Sequence, residues 1–207
     1  MISLKNVSQK FGDLTISYPD WKVENGQHAL ILGTSGCGKT TLLHIISGLR
    51  KPSEGEVYVN DKNMTSLNAG ELDKFRGGNI GVVFQKPHLI KALTVEQNIS
   101  IAAQLSKKKI AKTRVKEVME LLGLYELRSR KTHQLSEGQA QRVSLARAVV
   151  HEPSVLAADE PTASLDDENC EKVITLLKDQ ATRCGAQLII ATHDQRVKNQ
   201  FENHLEL

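Results

Sequence analysis

Gly33-Thr34-Ser35-Gly36-Cys37-Gly38-Lys39-Thr40 sets glycines, a lysine and a hydroxyl at the spacing G-x-x-x-x-G-K-[ST], which suits a chain that must wrap a phosphate. Glycines let backbone N–H groups curl around a β-phosphate, a helix starting there adds positive potential, and Lys39 can neutralise β- and γ-oxygens. The Thr40 hydroxyl can ligate Mg²⁺, and Thr41 carries the loop into the helix. A stray glycine-rich turn could hold the same letters. It would not also follow an apolar run and open a helical pattern, as this one does.

Much later, Val155-Leu156-Ala157-Ala158-Asp159-Glu160 is an apolar run ending in two carboxylates. Such a pair places Asp159 near a metal, through water, and Glu160 where it can polarise an attacking water. Alone the pair could be a solvated strand end; with the phosphate loop upstream it reads as hydrolytic. Ser136 and Gln139 form an S-x-x-Q capping box that opens a helix carrying Val143, Ala146 and Val150. A capped helix N-terminus aimed outward is also an anion site.

These groups need elements to hold them. Ile2, Leu4 and Val7 read as an opening strand with imperfect alternation. His28–Leu32 predicts a strand and Thr41–Gly48 a helix, which brackets the phosphate loop. Val155–Ala158 and Leu188–Ala191 read as buried strands whose C-terminal ends present polar residues. Between them Cys170, Val173, Ile174, Leu177 and Ala181 fall at helical spacing, a βαβ crossover that implies a mainly parallel sheet. The stretch from Pro87 to Val150 has no strand-like run but two amphipathic patterns, Ile99–Leu105 and Val115–Leu124. The 207 residues therefore divide into an α/β core, about 1–86 and 151–207, and an inserted helical subdomain, about 87–150.

Composition narrows the setting. The net charge of +3 comes from 27 basic and 24 acidic side chains spread along the chain, with no arm or tail built for nucleic acid, so no nucleic-acid partner is expected. Lys107–Lys109 reads as a solvated loop or helix end. Apolar runs such as Leu42–Ile46 fall far short of the ~20 residues that cross a bilayer. MISLKNVSQK lacks a signal peptide's apolar block, and three cysteines without metal-ligand spacing fit a reducing compartment, so a cytosolic residence is expected.

Up to this point the residues define a P-loop nucleotidase with a RecA-like core. Leu135-Ser136-Glu137-Gly138-Gln139-Ala140-Gln141-Arg142 goes further, because it resembles the LSGGQ signature of ATP-binding-cassette (ABC) ATPases, with Glu137 where that family usually has glycine. The family's other marks stand in order: Gln85 in VVFQ, the ASLD loop ending at Asp166, and His193 in ATHD. The resemblance implies an added antiparallel β portion at the N-terminus and a head-to-tail homodimer. Two ATP molecules would lie between one subunit's phosphate loop and the other's signature, with Ser136, Gly138 and Gln139 facing the partner's γ-phosphate and Asp166 beside it. His193 would contact the γ-phosphate, Gln85 would join Thr40 and Asp159 around Mg²⁺, and Phe11 in QKFG would stack on adenine, with Tyr18 and Trp21 as alternative rings.

NIGVVFQKPHLIKALTVEQNI, DEPTASLD and THDQRV resemble the lipoprotein-release, macrolide-export, heterocyst-exporter and cell-division FtsE types. There, paired ATPases sit beneath separate integral-membrane subunits with large extracytoplasmic domains, peripheral on the inner face of the membrane. The chain ends soon after His193, at NHLEL, which the resemblance reads as lacking the regulatory C-terminal domain of many importer ATPases. A soluble cassette protein of DNA repair or the ribosome would carry two cassettes or a long coiled coil. An inactive regulatory cassette would not keep Lys39, Glu160 and His193.

Overall fold

The computed structural model describes residues 1–163 and 165–207. A parallel sheet forms the centre, in spatial order β10 (Asn203–Glu206), β4 (Ala29–Leu32), β9 (Gln187–Thr192), β8 (Val155–Asp159), β7 (Ile80–Val83). Every neighbouring pair in it is parallel. The second sheet is antiparallel and built from the first third of the chain: β2 (Leu14–Ser17) and β3 (Trp21–Val23) share one edge of β1 (Ile2–Phe11). The other edge takes β5 (Glu54–Val59), and β6 (Lys62–Asn63) follows it.

The central strands are apolar on both faces because each face has its own core. Ala29 and Ile31 of β4, Val155 and Ala157 of β8, and Ile189 and Ala191 of β9 face the antiparallel sheet and α1 (Lys39–Ile46). Their alternates Leu30, Leu32, Leu156, Ala158, Leu188 and Ile190 pack under a helical layer. That layer comprises α3 (Val95–Leu105), α4 (Arg114–Leu121), α5 (Glu137–Val149) and α6 (Asp167–Cys184). The remaining helix, α2 (Ala69–Asn79), leads into β7 and starts with its own capping box, Asn68 with Glu71.

Most expected elements are present. The imperfect alternation of the first strand has a local cause: Asn6 takes φ 48° and the β1–β5 register shifts between Lys5 and Ser8, a bulge that turns Val7 back to the core. Helix α1 starts at Lys39, inside the loop pattern, rather than at Thr41. Helix α3 contains the first amphipathic pattern, α4 covers the second only as far as Leu121, and α6 is the crossover helix between adjacent parallel strands β8 and β9. Lys107, Lys108 and Lys109 are all exposed, and Lys108 Nζ also donates to the carbonyls of His151 (3.1 Å) and Glu152 (2.7 Å). No helix among the described residues is long and apolar enough to cross a membrane.

Two details aim α5. Gly81 in β7 lies so close to it that a Cβ there would sit 2.1 Å from the Ala148 carbonyl oxygen, so only glycine allows this packing. Arg147, burial of which lowers its pKa, donates through Nη1 to His88 O (2.9 Å) and through Nη2 to Pro87 O (3.0 Å). The helix that begins at Ser136 is thereby tied to the segment following Gln85.

Candidate functional site: a phosphate cleft at the ends of the parallel strands

The loop between β4 and α1 leaves the sheet at Gly33 and turns into the helix at Gly38, whose φ of 106° belongs to a region side chains rarely enter. Gly38 caps the helix with no side-chain bond, so the first turn's N–H groups face the loop interior. Lys39 is buried, and its ammonium donates to Gly33 O (3.0 Å) and Thr34 O (2.9 Å), bending the loop over it. Cys37, half-buried, packs against Gly33, where a Cβ would meet its Sγ at 2.6 Å.

Strand β8 brings its carboxylates to this loop across 119 positions of sequence. Thr40 Oγ1 donates to Asp159 Oδ1 at 2.9 Å. Burial raises the Asp159 pKa, and the Thr40 hydroxyl bond works against that rise. Glu160 is held in a left-handed backbone, φ 45°, in which its N–H donates to Ala191 O at 2.8 Å. Such a conformation in a residue with a side chain is strained and persists only where surroundings fix it.

The surroundings are explicit. Thr192 Oγ1 donates to Glu160 Oε2 at 3.0 Å, and His193 Nδ1 lies 3.0 Å from both carboxylate oxygens. The Lys39 ammonium stands 3.6 Å from Oε1. A half-buried carboxylate is thus suspended between a lysine and a histidine at the mouth of a glycine loop.

A cleft of about 460 Å³ joins these groups, lined by Ser35, Gly36, Gly38, Lys39, Thr40, Thr41, Gln85, Glu160 and His193. Its far end is apolar, walled by Phe11, Leu14 and Ile16. Phe11 is 38% exposed and Arg50 stacks over its ring at 5.1 Å from the centroid. The alternative rings are occupied elsewhere: Tyr18 is buried, with its hydroxyl donating to Gly38 O at 3.3 Å, and the Trp21 indole donates to Asn203 Oδ1 at 3.1 Å.

Ser136, Gly138 and Gln139 do not line this cleft. The capping box is formed, with Gln139 N donating to Ser136 Oγ (3.3 Å) and Ser136 N to Gln139 Oε1 (3.0 Å). Ser136, Glu137 and Gly138 are exposed, and a Cβ on Gly138 would touch nothing within 4 Å. Glu137 and Gly138 border a separate, largely apolar cavity of about 420 Å³, which reaches Gln85 and Glu160 at one side. Asp166 caps α6 by accepting from Asn169 N at 2.8 Å, and the Asn169 bonds hold its carboxyl below the usual range. Of the ASLD segment, Ser164 lies outside the described residues.

Residue spacing did not single out Thr192, Arg147 or the pair Asp194 and Arg196. Thr192 and Asp194 flank His193, so their signal was adjacency to a residue already marked, while Arg147 had none. The donor set suits a small hard cation: the Thr40 hydroxyl bonded to the buried Asp159 carboxyl, with Thr40 and Gln85 both lining the cleft. Among the described residues no three His, Cys, Asp or Glu side chains converge as a protein-only metal cage. A cation shared with phosphate oxygens and water needs none.

A family model described as "ABC transporter" matches residues 17–163. The lipoprotein-releasing system ATP-binding protein LolD of Bacteroides fragilis is 37% identical over 198 residues, 94% of this chain and 92% of that protein. The bacitracin export ATP-binding protein BceA of Halalkalibacterium halodurans is 38% identical over 177 residues, 84% of this chain and 70% of that protein. Among solved structures, the dimeric post-hydrolysis state of the ATP-binding cassette MJ0796, bound to ADP and Pi, is similar with a TM-score of 0.88. It is 35% identical, covering 100% of this chain and 94% of that one.

Proposed function

The chain belongs to the ABC transporter family, and from that membership we propose how its residues divide the work of ATP hydrolysis. It is an ATP-binding and ATP-hydrolysing subunit of an ABC transporter, acting as a cassette dimer that powers separate membrane-spanning subunits. The core, about 1–86 and 151–207, holds the nucleotide, and the helical subdomain, about 87–150, carries the signature.

The phosphate loop from Gly33 to Thr41 binds the polyphosphate through backbone N–H groups, and Lys39 leaves its loop carbonyls to neutralise β- and γ-oxygens. Phe11 stacks on the base. Thr40, Asp159 and Gln85 would hold Mg²⁺, which when bound would offset charge on the phosphate oxygens. Glu160 orients and polarises the water that attacks the γ-phosphate, and His193, beside it, contacts the γ-phosphate. Ser136, Gly138, Gln139 and Asp166 complete the partner's site, so each nucleotide is enclosed by two chains.

The observation that carries this reading is the placement of Glu160: a strained carboxylate fixed by Thr192 and His193 and standing 3.6 Å from the phosphate-loop lysine. Glu160→Gln keeps shape and removes the charge that polarises water. Turnover should fall by roughly a hundredfold or more while ATP still binds, and dimers should accumulate with Mg-ATP. A variant that hydrolyses ATP at the parental rate would contradict the assignment.

Likeness to the LolD proteins over nearly the whole chain, together with the NIGVVFQKPHLIKALTVEQNI segment, favours membrane partners with an extracytoplasmic domain. The chain then sits peripherally on the inner face of the membrane and in the cytoplasm. Co-purification from detergent-solubilised membranes tests this: a partner with few membrane helices and a large domain beyond them is expected, and a partner lacking that domain would refute it.

A further inference from the structure

The turn after His193 is bonded more heavily than the end of a strand requires. Asp194 accepts from Arg196 Nε (2.8 Å), Arg196 Nη2 (2.7 Å) and Arg196 N (3.0 Å), and from Thr162 Oγ1 (2.9 Å). Thr162 is buried and lies two residues beyond Glu160. The Asp194 N–H donates to Thr192 Oγ1 at 3.0 Å, and that same hydroxyl donates to Glu160 Oε2. Asp194 is thus braced to Glu160 by two routes, one through each strand end. Arg196 Nη1 continues outward to Leu165 O (3.1 Å) and Asp167 Oδ1 (2.7 Å).

A single exposed ion pair would count for little. A forked guanidinium on one carboxylate is different, because two parallel bonds fix orientation as well as distance. Here the fork is joined to the two segments whose ends carry Glu160 and His193. Neither Asp194 nor Arg196 lines the nucleotide cleft, so the pair acts on geometry and not on substrate.

We propose that the Arg196–Asp194 pair is a positioning device for hydrolysis, which holds Glu160 and His193 in register with Thr162, Leu165 and Asp167. It rests on the reading of Glu160 as the group that orients water. Reacting groups displaced by about 1 Å can lose a hundredfold in rate. Because ATP is gripped by the phosphate loop, breaking the pair should slow turnover and spare binding.

The test uses the whole chain and five variants: Arg196→Ala, Arg196→Lys, Asp194→Asn, Arg196→Ala with Asp194→Asn, and Glu160→Gln. ATP affinity, KM, kcat and melting temperature are measured for each. Arg196→Ala should lower kcat roughly ten- to a hundredfold with KM and ATP affinity within about twofold. Arg196→Lys, which keeps charge but not the fork, should recover part of the loss and serves if the alanine variant does not fold. The double variant should be no slower than the worse single one, since both break one device.

Parental kcat in Arg196→Ala and Arg196→Lys, additive losses in the double variant, or KM and affinity weakening by the same factor as kcat would each overturn the proposal. So would a kcat loss that follows the melting temperature and vanishes on cooling, since that marks mere destabilisation. Glu160→Gln separates the two layers: if it hydrolyses normally, the assignment of Glu160 fails and the positioning role with it. If Glu160→Gln is inactive and Arg196→Ala is not impaired, the positioning role alone fails.

Discussion

The phosphate cleft and the start of α5 are both proposed as anion sites, yet they are built in opposite ways. In the cleft, Thr40 meets Asp159, Lys39 meets Glu160, and Glu160 meets Thr192 and His193, all through contacts between distant parts of the chain. At the start of α5, the bonds of Ser136 and Gln139 lie within four residues, and the face beyond them is exposed. A site of the first kind exists only once the sheet has formed. One of the second kind is complete as a local motif, and its residues Ser136, Gly138 and Gln139 do not line the cleft.

That contrast breaks most directly by splitting the two designs between subunits. Lys39→Ala should abolish phosphate binding in its own chain, and Ser136→Arg should block the helix start offered to the partner, so each homodimer should be inactive. After subunit exchange about half the dimers are mixed, and each regains one intact site, at most roughly a quarter of all sites. Occluded nucleotide per dimer, read beside turnover, measures this. If exchange is demonstrated and neither occlusion nor turnover returns, the two designs do not serve one nucleotide.

A smaller effect tests the cleft alone. Cys37 sits in the loop and is half-buried, so maleimide should modify it and obstruct nucleotide binding, and saturating ATP should slow the labelling several-fold. Mass spectrometry showing equal labelling with and without ATP would mean that the nucleotide does not cover this loop.

The smallest effect sharpens the helix start. Helix α3 opens with a matching box, Thr94 with Gln97, neither of which lines the cleft, so it is a control for Ser136 with Gln139. Thr94→Ala and Ser136→Ala should each cost about 1 kcal/mol of stability. Only Ser136→Ala should also reduce ATP hydrolysis, by severalfold. Equal activity in the two variants at matched stability would leave Ser136 as a helix cap and nothing more.

Much of this was readable before the fold. The glycine spacing, the strand-end carboxylates and the S-x-x-Q box are local patterns in which residue type and separation imply geometry directly, and each has that geometry here. Helix α2 and strands β2, β3, β5, β6, β7 and β10 went unread as elements, since α2 has few apolar positions and only Gly78 buried, while all of these strands but β5 have four residues or fewer. Phe11, Tyr18 and Trp21 could not be told apart by type. Their surroundings differ: Tyr18 is buried against the Gly38 carbonyl, Trp21 bonds to Asn203, and Phe11 lines the cleft.

The sequence alone determined the phosphate loop, the capped signature helix, the parallel character of the sheet and the family resemblance, because each rests on residue types and their order and spacing along the chain. Tertiary structure alone decided that β9 lies between β4 and β8, which is what brings His193 and Thr192 to Glu160. It also decided the left-handed backbone at Glu160 and the Arg196 fork that reaches back to Leu165 and Asp167. The central strands are all short apolar runs and nearly interchangeable as patterns. Their order is set by which faces the two cores bury together, and that balance is summed over the whole chain.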